Sequence, residues 1–203
     1  MSLKLKVCGL RDDANFREVA LLNLDFLGLI FISSSSRCIE LEQAVRLAQI
    51  DRGKTLLTGL FQNQDSKFIC EVVQEARLDC VQIYGEKTTA KELKSLLPQL
   101  KVLKAVTVTS LLTAESKSVD YFLVDNEQGG SGVKFDWDLL SEYKGDTPLL
   151  IAGGIGPDDA YAVRKLVEEN PMVQGVDVSS KFELSVCLKD AAKIKSFKDQ
   201  LAY

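Results

Sequence analysis

Eight short apolar runs alternate with amphipathic stretches. They predict an α/β fold closed into a compact (β/α)8 barrel, the TIM-barrel architecture. The first support is the count, since eight strand–helix units suit a closed barrel better than an open sheet. The second is that several runs are apolar at every position, as strands buried on both faces are. The third is size. A barrel of this kind usually runs to about 250 residues, so this one must have trimmed loops. The chain has 203 residues. Residues 1–203 read as one barrel domain, with no linker or low-complexity tract.

The predicted strands cover residues 3–7, 26–32, 55–61, 80–84, 100–107, 121–125, 148–152 and 173–178. Helical spacing follows several of them. Phe68, Val72, Val73 and Ala76 share one face, as do Ala90, Leu93, Leu96 and Leu97. Ala160, Val163, Leu166 and Val167 repeat the pattern, and Ala191, Ile194, Phe197 and Leu201 close it. Asp12 and the pair Pro157-Asp158 carry helix-start chemistry. Residues 108–120 have room for only a turn or two, so the helix between strands five and six is short or missing.

Composition excludes several chemistries. There is no histidine, hence no Ser-His-Asp triad, Cys-His pair, H-E-x-x-H zinc site or imidazole base. Carboxylates, thiols, lysines, tyrosines or backbone groups must do any catalysis. Lys+Arg is 25 and Asp+Glu is 29, a net charge of −4. A mildly acidic chain without a basic run has no electrostatic reason to bind nucleic acid or an anionic membrane. Five cysteines, none in a C-x-x-C pair, suggest a reducing cytoplasm and no metal site. Residues 1–7 lack the apolar core of a signal peptide, and the 26–32 run is too short to span a bilayer.

In such a barrel the active site lies where the strands end and the following loops begin. Three loops stand out there, two of them glycine-bearing. Strand seven runs into Gly153-Gly154, with Pro157 opening the next helix. Strand eight runs into Ser179-Ser180. Strand six is followed by Gly129-Gly130-Ser131-Gly132. Bare amides between a strand end and a helix start cradle anions. Tight turns alone explain any one of these loops, but three at one end of the barrel point to phosphate.

Other strand ends could carry chemistry. Lys4, Lys6 and Cys8 share a parity and hence a face. An inward thiol at the mouth with an ammonium below it suits a lowered pKa and a base or nucleophile; a small buried cysteine is the alternative, and the commonest fate of a free thiol. Asp125 ends an apolar strand, where a carboxylate is costly without a purpose, although a cap or an ion pair would supply one. Asp177 faces inward on strand eight, for a structural hydrogen bond or a direct role. Arg37 follows four serines and is suited to a carboxylate, or else is a solvated loop arginine.

Together these residues resemble the phosphoribosylanthranilate isomerase family. Val7-Cys8-Gly9-Leu10 is similar to that family's K-I-C-G signature. The resemblance continues through Gly28-Leu29-Ile30-Phe31, the serines ending in Arg37, and Val81-Gln82-Ile83-Tyr84-Gly85-Glu86. Leu123-Val124-Asp125, Phe135-Asp136-Trp137, Ala152-Gly153-Gly154-Ile155 and Val176-Asp177-Val178-Ser179-Ser180 complete it, in family order. It implies an enzyme of tryptophan biosynthesis that carries out an Amadori rearrangement of a phosphoribosyl substrate without metal or cofactor. On that basis Cys8 is the general base and Asp125 the general acid. Arg37, Tyr84 and Asp177 face the substrate. Gly130, Gly132, Gly153, Gly154, Ser179 and Ser180 line the phosphate site. A monomer is expected, with a dimer as the alternative.

The chain departs from the family at Tyr84, where histidine is common, and at residues 33–36, where proline is frequent. It departs again at Lys181, where glycine is usual, and the following 182–188 lacks proline and glycine. Two rival readings remain. One is the related isomerase of histidine biosynthesis, against which Cys8 in place of an aspartate argues. The other is a barrel that binds phosphate without catalysis, against which the joint presence of Cys8 and Asp125 argues. Lys6 is expected to lower the Cys8 pKa.

Overall fold

The computed structural model describes residues 3–126 and 134–202. At its centre eight parallel strands pair in chain order and close on themselves. They are β1 (Lys4–Cys8), β2 (Phe26–Ile30), β3 (Leu56–Gln62), β4 (Cys80–Tyr84), β5 (Lys101–Thr107), β6 (Tyr121–Asp125), β7 (Leu149–Ile151) and β8 (Val173–Val178). Closure comes from β8 against β1, where Lys4 stands opposite Gly175 and Lys6 opposite Asp177. The predicted strand count and order hold. The predicted second strand is two residues too long, because the chain turns at Ile32 and touches β2 again through Cys38.

The helices begin where the sequence supplies caps. Asp12 accepts from Asn15 N at 2.8 Å and opens α1 (Asp13–Ala20). Leu41–Ala48 forms α2. Asp65 opens α3 (Ser66–Glu75), and Thr89 opens α4 (Ala90–Leu96). A capping side chain is worth about 1 kcal/mol, so these starts are set locally. The expected shortening after β5 is found: α5 (Val108–Leu111) is a single turn, capped by Thr107. Between β6 and β7 a 3-10 helix (Trp137–Glu142) stands where a full helix would lie. A 3-10 turn at Pro157–Asp159 leads into α6 (Ala160–Glu169). After β8 the chain makes a small antiparallel hairpin, β9 (Glu183–Ser185) and β10 (Leu188–Lys189). It ends in α7 (Ala191–Leu201).

Strand parity sorts the core into two layers. Leu5, Val7, Leu27, Leu29, Val81, Ile83, Val102 and Phe122 point outward and pack under the helices. Phe26, Cys80, Leu103, Leu123 and Leu150 fill the barrel interior. Each fully buried Leu, Val or Phe contributes roughly 1.5–3 kcal/mol, which makes the barrel a rigid base for the loops at its carboxyl end. No helix of the described residues is long and apolar enough to cross a membrane.

Candidate active site

Parity delivers Lys6 and Cys8 to the barrel interior, as expected. Lys6 has no exposed surface, and its Nζ donates to Asp177 Oδ2 at 2.8 Å. Burial opposes the charge, yet the pull of Asp177, Cys8 and Cys80 outweighs it and holds Lys6 an ammonium. One turn of the pleat higher, Cys8 is 5% exposed and sits among Ile30 and Leu60. The expectation of a lowered thiol pKa is corrected here. Burial pushes the Cys8 thiol up, and Lys6 offsets only part of that, because Asp177 neutralises much of its charge.

Around Cys8 opens a cavity of about 790 Å³ at the carboxyl ends of the strands. It is lined by most of the residues singled out from sequence: Cys8, Arg37, Tyr84, Asp125, Asp177, Gly153, Gly154, Ser179 and Ser180. Gly130 and Gly132 lie outside the described residues. Asp125 is 6% exposed at the tip of β6, and its Oδ1 accepts from Asn126 N at 2.8 Å. Tyr84 Oη accepts from Gln82 Nε2 at 2.8 Å. Burial, reinforced by Asp125, Asp177 and Cys8, pushes the Tyr84 hydroxyl well above its ordinary pKa, so it stays a neutral donor. Asp177 keeps Oδ1 buried with no hydrogen-bond partner among the described residues, an acceptor in the cavity wall.

After β7 the chain turns through two residues of positive φ, Gly153 (+85°) and Gly154 (+65°), before α6. Side chains resist that conformation, so glycine is what lets the chain turn here, and both residues line the cavity. The Ser179 hydroxyl, on the cavity wall, is engaged within the protein. It donates to Cys8 O at 3.0 Å and accepts from Lys189 Nζ at 3.1 Å. It ties the end of β8 to the end of β1, and Ser180 beside it is exposed.

Arg37 is not a solvated loop arginine. Its Nε and Nη2 donate to Glu183 Oε1 and Oε2 at 2.8 and 2.6 Å. Glu183 Oε1 also accepts from Lys189 Nζ at 2.7 Å. The hydrogen bond to Glu183 raises the Arg37 pKa further. Burial works against the Glu183 carboxylate, but Arg37 and Lys189 outweigh it and hold it below the usual range. Sequence reasoning missed both Glu183 and Lys189. Their one signal was a pair of opposite charges six residues apart, in a stretch noted only for lacking glycine and proline.

Gly9 connects this arginine to the signature at β1. Its φ is +84°, and a Cβ there would lie 2.6 Å from Arg37 Cδ. Gly9→Ala is therefore expected to lower stability by about 1–3 kcal/mol through backbone strain and to displace Arg37. Thermal unfolding should show the loss, and a raised KM should accompany it. An unchanged KM would mean that the arginine stem has other room.

The fold and this cavity define a (β/α)8-barrel enzyme whose site holds a thiol, two carboxylates and an arginine. A model of the N-(5'-phosphoribosyl)anthranilate isomerases matches residues 5–200. The N-(5'-phosphoribosyl)anthranilate isomerase of Campylobacter jejuni is 37% identical, with 98% of each chain covered. That of Parabacteroides distasonis is 35% identical, covering 98% of this chain and 93% of its own. A crystal structure of phosphoribosyl anthranilate isomerase in complex with reduced 1-(o-carboxyphenylamino)-1-deoxyribulose 5-phosphate superposes with a TM-score of 0.81. It is 25% identical and covers 98% of both chains. The chain belongs to the N-(5'-phosphoribosyl)anthranilate isomerase family, and is an isomerase of the aldose–ketose type.

Proposed function

We propose that the chain converts N-(5-phosphoribosyl)anthranilate to 1-(2-carboxyphenylamino)-1-deoxyribulose 5-phosphate, with Cys8 as general base and Asp125 as general acid. The observation that carries this reading is that both groups line one cavity, at the ends of β1 and β6. Asp125, in its acid form, gives a proton to the ribose ring oxygen as the bond from that oxygen to C1 breaks. The anthranilate nitrogen supplies the electron pair, leaving an iminium. The Cys8 thiolate removes the proton from C2, and the electrons form the C1–C2 double bond of an enolamine. Protonation at C1 and loss of the C2 hydroxyl proton yield the ketone, so atoms and charge balance with no cofactor.

Arg37 would hold the anthranilate carboxylate, since a guanidinium fork matches it. Tyr84 and Asp177 would face the sugar, one as donor and one as acceptor. The amides at Gly153 and Gly154, with Ser180, would meet the phosphate; Ser179 would fix that loop to Cys8. The direct test mixes the purified protein with freshly made phosphoribosylanthranilate and follows the loss of its fluorescence. Turnover with formation of the ketose is expected. Its absence would overturn the reading and favour a barrel that binds phosphate only.

A further inference from the structure

We propose that Glu183 and Lys189 are positioning residues that aim Arg37 at a substrate carboxylate, Glu183 holding one edge of the guanidinium and leaving the opposite edge to the cavity. This rests on the reading of Arg37 given above. A guanidinium has five N–H donors, and two adjacent edges can each engage a carboxylate in parallel fashion. Glu183 takes the Nε–Nη2 edge. Among the described residues no hydrogen bond reaches Nη1, so the Nη1–Nη2 edge remains for a ligand. The plane and direction of that edge are fixed by the one already taken.

The fixture is built from buried parts. The Glu183 side chain is 5% exposed and that of Lys189 0%, whereas that of Arg37 is 21% exposed and lines the cavity. Two positive groups and one negative leave a single positive charge, and it is carried by the member that reaches the ligand. Lys189 would be costly to bury unpaired. It is held by Glu183 and Ser179, and Ser179 in turn holds Cys8 O. The hairpin itself is anchored to α1. Asn15 accepts from Lys189 N at 2.7 Å and donates to Lys189 O at 2.8 Å. One buried lysine thereby sets the arginine on one side and the strand end that carries the thiol on the other.

The test compares two stable ligands, reduced 1-(o-carboxyphenylamino)-1-deoxyribulose 5-phosphate and the same compound without its carboxylate. Dissociation constants are measured by calorimetry on the wild type, Glu183→Gln, Glu183→Asp and Arg37→Ala. A charge-assisted pair predicts that the wild type prefers the carboxylated ligand at least about tenfold, and that Arg37→Ala abolishes the preference. In Glu183→Gln the preference should shrink toward unity while the ligand without carboxylate binds within about threefold of the wild type. Glu183→Asp, too short to hold Arg37 and Lys189 together, should fall between, and it decides the matter if Glu183→Gln does not fold. A full preference retained in both Glu183 variants overturns the proposal, as does equal weakening of both ligands. No preference in the wild type overturns the reading of Arg37 instead.

Discussion

Cys8→Ala and Asp125→Asn are each expected to lower kcat by about 10²–10⁴-fold, the usual contribution of a positioned base or acid. The losses should appear in kcat more than in KM, because each group acts on a proton that moves only in the reaction. Cys8→Ala also removes a buried side chain of the barrel interior, so a thermal unfolding curve must accompany the kinetics. A folded Cys8→Ala protein with near-normal kcat would return Cys8 to the status of a small buried cysteine. The wild-type pH dependence provides an independent check. Burial raises the thiol pKa, and the thiolate is the competent form. The thiolate fraction must therefore keep growing as pH rises, and the rate of Cys8 alkylation by iodoacetamide should climb close to tenfold per pH unit through pH 7 to 8 without levelling. A plateau already reached below pH 7 would require a lowered thiol and contradict the burial described above.

The sequence and the structure agree where information is local or periodic. Apolar runs bounded by glycine and acidic caps located all eight strands. A period of two placed Lys6 and Cys8 inward without any knowledge of the partner strands. Strand ends then nominated Asp125 and the Gly153-Gly154 turn, because the fold fixes which end is open, and parity added Asp177. What was hidden depends on distant parts of the chain. Arg37 and Glu183 are 146 residues apart, and Asn15 and Lys189 are 174 apart. The β9–β10 hairpin has strands of three and two residues, too short to show a period. Its irregular register makes a pattern harder still to see. The direction of the Cys8 shift was hidden for the same reason. Lys6 is visible as a neighbour two residues away. The apolar ring of Ile30 and Leu60, and the claim of Asp177 on the same ammonium, exist only once the barrel closes.

That competition for Lys6 leads to the second large effect. Lys6→Met is expected to destabilise the protein by about 3–5 kcal/mol, the usual consequence of removing one partner of a buried ion pair. The side chains are 0% and 8% exposed, so the stranded Asp177 carboxylate would gain little from water. Its Oδ1 already lacks a partner among the described residues, and Oδ2 would then lose Lys6. Adding Asp177→Asn should recover most of the loss, since an uncharged amide is far cheaper to bury unpaired. A double-mutant cycle by denaturant unfolding would measure that coupling. The same variants separate stability from chemistry. Lys6 pulls the Cys8 pKa down against burial, so Lys6→Met should move the pH profile of alkylation of Cys8 by iodoacetamide to still higher pH. Cys8 is the thiol to follow, with the other four cysteines replaced. In the Lys6→Met, Asp177→Asn double variant the unfolding free energy should return while the thiol shift persists in part, because the ammonium that favours thiolate is still gone. If the single variant kept both its stability and its alkylation profile, Lys6 would be a spectator and the electrostatic setting of Cys8 would have to come from Lys189, the next cation acting on the thiol.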